Sequence, residues 1–239
     1  MKQLQTILSI IIPVYNEEST LESLLEKVIR LELINGAQKE IILVNDCSRD
    51  RSEEIALAVM ARHPEAAIKY ARHETNQGKG MAIRTGIQWV RGDYVVIQDA
   101  DLEYDPEDFN LLLSYLICND KKVVYGSRFL SRENTHSYPT FYWGGRLVSF
   151  VANLLYRQHL TDEPTCYKMF EAALLKSIPL QCTGFEFCPE VTAKVAKRGY
   201  RITELPIRYY PRSIQEGKKI KWYDGIEALW TLLKYRFIK

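Results

Sequence analysis

Two runs near the N-terminus, LSIIIPV at 8–14 and EIILVN at 40–45, constrain the fold more than any other feature of the chain. Both are almost wholly apolar and rich in β-branched residues, without the alternation of a strand that has one wet face. Nearly unbroken apolar strands belong to sheets covered on both sides. Further strand-like runs lie at 68–71, 94–98 and 122–126. Between these runs, segments 20–31, 52–62, 80–90 and 106–118 carry apolar residues at helical spacing. Short buried strands alternating with amphipathic helices predict an α/β fold, a Rossmann-like doubly wound sheet that is mostly parallel. Ligands of such sheets collect outside the carboxyl ends of the strands.

Polar residues stand at those ends. Tyr15, Asn16 and Glu17 follow the first strand, and Asn45, Asp46 and Ser48 the second. Asp99 and Asp101 follow the fourth, Ser127 and Arg128 the fifth. In YVVIQDADLEYDPEDF, at 94–109, the later acids have a local explanation. Asp105 fits a helix N-cap, Pro106 the first helical position, and Glu107 and Asp108 the positive end of the helix dipole. Asp99 and Asp101 precede that cap. Two carboxylates at i and i+2 beyond a buried strand repel each other unless a cation lies between them. Mg2+ or Mn2+ suits such a pair, because these hard ions accept one or two carboxylates and complete their shell with substrate phosphate and water.

Other rim segments carry capping signals as well. Ser19 or Thr20 precedes the first helical run, and VNDCSRD resembles an Asx- or Ser-type turn from which Asp46 is placed to grip a base or ribose. HETNQGKGMAIRTG lacks the phosphate-loop spacing, and the first strand is not followed by G-x-G-x-x-G, which argues against a dinucleotide-binding dehydrogenase. Gly78 and Gly80 suit a tight turn that starts a helix near the cleft.

The 239 residues suffice for one large domain, whose pattern changes at about residue 130. Thirty-two Lys and Arg against 30 Asp and Glu leave no bulk charge to attract nucleic acid, and no nucleic-acid motif accompanies the basic C-terminal end. Five cysteines without a C-x-x-C read as reduced cytosolic thiols, which places the chain in the cytoplasm. The first apolar run ends in Pro and acidic residues, as a strand does and a secretory signal does not. No run reaches the about 18 apolar residues needed to cross a bilayer. The longest candidate, 141–156, contains Arg146. The second half continues through that aromatic-rich stretch, TDEPTCYKMF, a helical pattern to residue 197 and a strand in RITELPIRYYP. At the end of the chain Ile226, Leu229, Trp230, Leu233 and Phe237 recur at helical spacing among Lys and Arg. Such a stripe either docks on its own domain or lies in an anionic membrane interface.

The motifs IIPVYNEE, VNDCSRD, NQGKG, DADLE, GSRF, TDEPTCYKMF and PIRYYPRS with EGKKIKWYDG occur in the order seen in family 2 glycosyltransferases. Within that family the chain most resembles the dolichol-phosphate mannosyltransferases and their bacterial polyprenyl-phosphate relatives, from residue 8 to about 233. An Asp-x-Asp alone is a weak signal, whereas seven ordered motifs are specific. The resemblance implies a glycosyltransferase A type fold in one domain, with residues to about 130 as the nucleotide-sugar-binding half and about 131–239 as the acceptor-side half with C-terminal acceptor-side helices. It implies that Pro13, Tyr15 and Glu17 hold the nucleotide, that Asp46 contacts the base, and that Asp99, Ala100 and Asp101 form the metal and sugar-diphosphate signature. Glu103, often Gln in the mannosyltransferases, adds a third carboxylate to Asp99 and Asp101 as metal ligands. Asn45 stands where many relatives have Asp, which leaves the donor base open. Arg128, Arg212 and Lys218 match cations around the diphosphate and the acceptor phosphate, and Arg146 is a second phosphate clamp.

The implied chemistry is inverting transfer of a hexose from a nucleotide sugar, GDP-mannose or UDP-glucose, to a polyprenyl phosphate at the cytosolic membrane face. Membrane contact is peripheral or through an integral membrane partner. A phosphate acceptor is ionised near neutral pH, its second pKa being about 6, and attacks without a protein base. A hydroxyl of a growing glycan requires one, and Asp162 is the candidate, although capping the following turn explains it equally well. A sugar nucleotidyltransferase is a further alternative, sharing the metal and the strand-end site.

Overall fold

The computed structural model describes residues 5–135, 139–212 and 221–238. The first apolar run forms β1 (Ile7–Val14) and the second forms β2 (Gln38–Asn45), paired in parallel with Ile11 opposite Ile42 and Pro13 opposite Val44. Inward from its first residues each strand is buried without interruption, as strands covered on both faces must be. Parallel β3 (Ile68–Arg72) lies outside β2, and β4 (Tyr94–Ile97) pairs in parallel with β1 on its other edge. The helices that return the chain between them are α1 (Leu21–Arg30), α2 (Ser52–Arg62) and α3 (Lys79–Trp89). A 3-10 turn at Pro106–Asp108 then leads into α4 (Phe109–Cys118) and β5 (Val123–Ser127).

Beyond β5 the chain adds α5 (Pro139–Tyr156), β6 (Lys168–Glu171), α6 (Ala172–Lys176), α7 (Phe187–Lys197), β7 (Thr203–Pro206) and α8 (Trp222–Phe237). The sheet order is β3-β2-β1-β4-β6-β5-β7, so strands from both halves share one sheet. β6 runs antiparallel to β4 and β5, while β7 is parallel to β5. The expected α/β, mostly parallel architecture is the one observed.

One strand departs from the sequence reading. The pattern of 161–170 gives no strand signal and a helical pattern runs on to residue 197, whereas β6 lies inside the sheet between β4 and β5 and the helix is divided into α6 and α7. Lys168 disguises the strand. Its side chain is fully buried, its ammonium sits 3.8 Å from the centre of the Tyr125 ring, and Nζ donates to the Glu163 carbonyl at 2.5 Å. Pro179 and Gly184, poor interior helix residues, lie in the stretch that separates α6 from α7.

The capping readings divide. Asp105 accepts the Glu107 amide at 3.1 Å, with Pro106 behind it, as expected of that cap. Thr20 stands at the cap of α1 without a capping bond, because its hydroxyl donates to Glu17 Oε2 at 3.0 Å. Ser48 closes the expected Asx turn by donating its amide to Asn45 Oδ1 at 2.9 Å. Gly78 has φ +92°, and a Cβ there would lie 2.4 Å from the Thr183 carbonyl oxygen, so glycine is required where α3 begins against that backbone.

Candidate active site

The turns after β1, β2 and β4 form one rim, and each contains a non-glycine residue with positive φ: Asn16 (50°), Cys47 (59°) and Leu102 (60°). Asn tolerates this region of backbone space, but Leu does not, so the turn carrying Asp101 is held under strain. Leu102 and Asp101 line an open cavity of about 770 Å³ together with Ser19, Thr20, Tyr210 and Arg212.

Around that cavity the chain gathers Glu17, Asp101, Glu103 and Arg212. The Arg212 guanidinium donates to Asp101 Oδ2 at 3.1 Å and to Glu17 Oε2 at 3.1 Å, while its Nε lies 4.0 Å from Glu103 Oε1. The backbone amide of Arg212 donates to Glu103 Oε1 at 2.9 Å, and the Tyr209 hydroxyl to Glu103 Oε2 at 3.2 Å. Burial, and then the charges of Asp99 and Glu103, push the Asp101 carboxyl up to about 7 despite the neighbouring guanidinium. Asp99 pairs with Lys79 Nζ at 2.6 Å. Burial opposes the charge on Lys79, but the Asp99 carboxylate outweighs it and raises the ammonium above its ordinary value.

The proposed three-carboxylate shell of Asp99, Asp101 and Glu103 is not assembled. Among the described residues no three His, Cys, Asp or Glu side chains stand in a metal-holding group. The physical reason is competition: Lys79 holds Asp99, while the Arg212 amide and Tyr209 hold Glu103. What remains fits a hard divalent ion in the sparser way, because Asp101 is a half-buried carboxylate that borders a cavity with room for phosphate and water ligands.

Asp46 does not present itself to a base. It is 2% exposed, bonds His73 Nδ1 at 2.6 Å, and accepts the amides of Gln77 at 2.9 Å and Gly78 at 2.7 Å. It organises the NQGKG loop, which in turn places Lys79 at the head of α3. Pro13 lies inside β1, Ala100 is buried, and Tyr15 is half-buried at the rim.

A second cluster surrounds Thr161 and Asp162. Asp162 is fully buried and accepts the Arg128 amide at 2.9 Å and its guanidinium at 2.8 and 2.7 Å. A carboxylate so enclosed is not available as a general base, nor does its side chain cap a turn: it positions Arg128. Arg128 also lies 5.1 Å from the centre of the Tyr209 ring, which connects this cluster to Glu103. Glu204 accepts the Asp162 amide at 2.8 Å and the Thr161 hydroxyl at 2.7 Å. Arg146, exposed on α5, donates to the Thr161 carbonyl at 3.1 Å. Lys218 lies outside the described residues.

Lys79 and Tyr209 were absent from the sequence assignment. The signal for Lys79 was present, because NQGKG puts a cation where a glycine turn starts a helix at the rim. Tyr209 has no such signal, since its role depends on an isolated bridge to Tyr104.

In the second half of the chain, α5 and α8 pack through Val148, Ala152, Tyr156, Leu232 and Tyr235. Their other faces are bare: Trp143, Phe150, Trp222 and Phe237 are 68, 63, 77 and 81% exposed, with Leu147, Leu154, Ile226 and Trp230 also exposed. The C-terminal stripe therefore divides: Leu229 packs against this contact, while Ile226, Trp230, Leu233 and Phe237 stay exposed among the described residues. Among the described residues no helix is long and apolar enough to cross a membrane.

Residues 9–178 match a family model described as glycosyl transferase family 2. The chain is 28% identical to a dolichyl-phosphate beta-glucosyltransferase of Trichomonas vaginalis, over 96% of this chain and 73% of that protein. It is 27% identical to a dolichol-phosphate mannosyltransferase of Pyrococcus furiosus, over 95% of this chain but only 64% of the relative's length. Among solved structures, glucosyl-3-phosphoglycerate synthase from Mycobacterium tuberculosis, crystallised with Mn2+, uridine diphosphate and phosphoglyceric acid, matches with a TM-score of 0.69. That match has 20% identity and covers 98% of this chain and 80% of that one.

Proposed function

Since the chain belongs to glycosyl transferase family 2 and is a glycosyltransferase, we propose that it moves a hexose from GDP-mannose or UDP-glucose to a polyprenyl phosphate, with inversion. The observation that carries this reading is the pairing of Asp101 and Arg212 in the wall of the strand-end cavity. There a carboxylate for a cation and a cation for a diphosphate stand side by side.

Asp101, with Asp99 next to it, would hold Mg2+ or Mn2+. A divalent ion there supplies Lewis-acid stabilisation of the departing diphosphate. Arg212 and Lys79 add fixed positive charge on the same rim, where transition-state charge is stabilised without reorganisation of solvent. The names of both relatives support a lipid-phosphate acceptor. So does the enclosure of Asp162, because an acceptor that is already ionised attacks without a base. Arg128, oriented by Asp162, and Arg146 offset repulsion between acceptor and donor phosphates. The exposed rows of α5 and α8 suit insertion into a membrane interface, with Trp at the headgroup level and Lys221, Lys234 and Arg236 near anionic lipid.

Incubation with each donor, Mn2+ and a short-chain polyprenyl phosphate should release nucleoside diphosphate and a lipid-linked hexose. Release of pyrophosphate would identify a nucleotidyltransferase instead. Asp101→Ala should lower turnover by about a hundredfold to a thousandfold; unchanged turnover would remove Asp101 from the mechanism.

A further inference from the structure

The carboxylate that fits a metal is not waiting with its charge exposed. Arg212 reaches it across 111 positions of sequence and bonds Asp101 and Glu17 with its two terminal nitrogens. An oxygen that accepts from a guanidinium presents that lone pair to nothing else, and a divalent ion brought beside the guanidinium is repelled by it. Arg212 and a metal are therefore competitors for Asp101.

We infer that Arg212 is the resident counter-cation of Asp101, exchanged for the metal when donor binds. The inference rests on the proposed role of Asp101 as metal carboxylate. Three features of the site support exchange over a permanent ion pair. Glu17, Asp101 and Glu103 all face the Arg212 guanidinium, so Asp101 shares this cation with two other carboxylates and does not hold it alone. The Nε–H of Arg212 is buried and makes no hydrogen bond among the described residues, so its donors are not all used in this position. Arg212 also forms part of the cavity wall, with Tyr210 and Pro211 beside it, so the arriving ligand meets it directly.

The consequence is a coupling between ligands. Metal alone must displace Arg212 from Asp101 and forfeits that ion pair. Metal arriving with a diphosphate brings phosphate oxygens to which the released guanidinium can bond, bidentately if geometry permits. Each ligand then strengthens the other by the same factor. Asp101 stays paired between turnovers, and the site favours metal and donor together over metal alone.

The test is a titration of the whole chain with Mn2+ alone, following the paramagnetic resonance of the free ion, repeated with GDP and UDP. Arg212→Gln should bind Mn2+ about tenfold more tightly than wild type without nucleotide and gain less from added nucleotide. Arg212→Lys keeps the charge without the two-armed reach to Glu17 and Asp101, so its Mn2+ affinity should lie between the two; it serves if the Gln variant does not fold. Equal or weaker Mn2+ binding by these variants, with Asp101→Asn abolishing binding, overturns the exchange and leaves the metal assignment standing. Asp101→Asn binding Mn2+ as wild type does overturns the metal assignment and the exchange together.

Discussion

At the strand ends Asp101 and Glu17 meet Arg212, Asp99 meets Lys79, and Asp162 meets Arg128; on α5 and α8 Trp143, Phe150, Trp222 and Phe237 are each more than 60% exposed. The two regions treat their difficult side chains in opposite ways. Charges at the rim find opposite charges within the chain, since desolvating an unpaired ion is prohibitive. The large apolar side chains are left uncovered among the described residues, where Val148, Ala152, Leu232 and Tyr235 form the contact between the helices and the domain. A paired charge can be exchanged for a ligand without leaving the site uncompensated. An exposed apolar row is relieved only by something apolar outside the chain.

The sharpest way to break this contrast is Asp162→Asn. If the pairing at the rim is structural, the variant leaves the Arg128 guanidinium without its counter-charge, and unfolding stability should fall by about 3–5 kcal/mol in urea titration. An unchanged midpoint would mean that Asp162 contributes no stability and would reopen its candidacy as a base.

The opposite region should respond in the opposite sense. Replacing Trp143, Phe150, Trp222 and Phe237 with Ser should alter stability by no more than about 0.5 kcal/mol per site, as at other exposed positions. Flotation with anionic vesicles should nevertheless show binding weakened by at least about tenfold, because each such side chain is worth about 1.5–3 kcal/mol when buried. Lost stability with vesicle binding intact would make the face an internal packing surface.

The smallest expected effect lies in α7, which packs on both α5 and α8. There Glu190 accepts the amides of Gln181 at 2.8 Å and Cys182 at 2.6 Å and pairs with Lys194 at 2.5 Å. Burial alone would raise its carboxyl, but Lys194 and the two amides outweigh it and hold the carboxyl below its ordinary value. A carboxyl lowered on folding stabilises the fold above its unfolded value, about 4.3, and that contribution is lost as pH falls through the folded value. Wild type should therefore lose about 1 kcal/mol more than Glu190→Gln between pH 5 and pH 3. Parallel curves for the two proteins would show that the ionised form is not what stabilises this junction.

Much of the site was legible because parallel strands announce themselves. β1 and β2 must be apolar on both faces, so their runs stand out, and the polar residues that follow them mark the rim without reference to tertiary contacts. The helix start at Asp105 and Pro106 is equally local, an acceptor and a fixed φ in adjacent positions. β6 was illegible because its buried Lys168 reads as a surface residue until Tyr125 and the Glu163 carbonyl receive it. Asp46 misled for a related reason: its position after β2 is right for a ligand contact, but loop 76–78 comes back from 30 residues later and occupies both of its oxygens.

Sequence alone determined the order of strands and helices through β5, the rim they form and the kinds of charge collected there. These follow from local periodicity and from the geometry of strand ends. Folding decided which cation each carboxylate keeps, and that Asp101 and Arg212 face one cavity while Asp162 lies enclosed behind Arg128. It also decided that Leu229 of the α8 stripe packs inward while Ile226, Trp230, Leu233 and Phe237 stay exposed. Periodicity shows that a helix has an apolar face, but only the neighbours it packs against determine whether that face is covered.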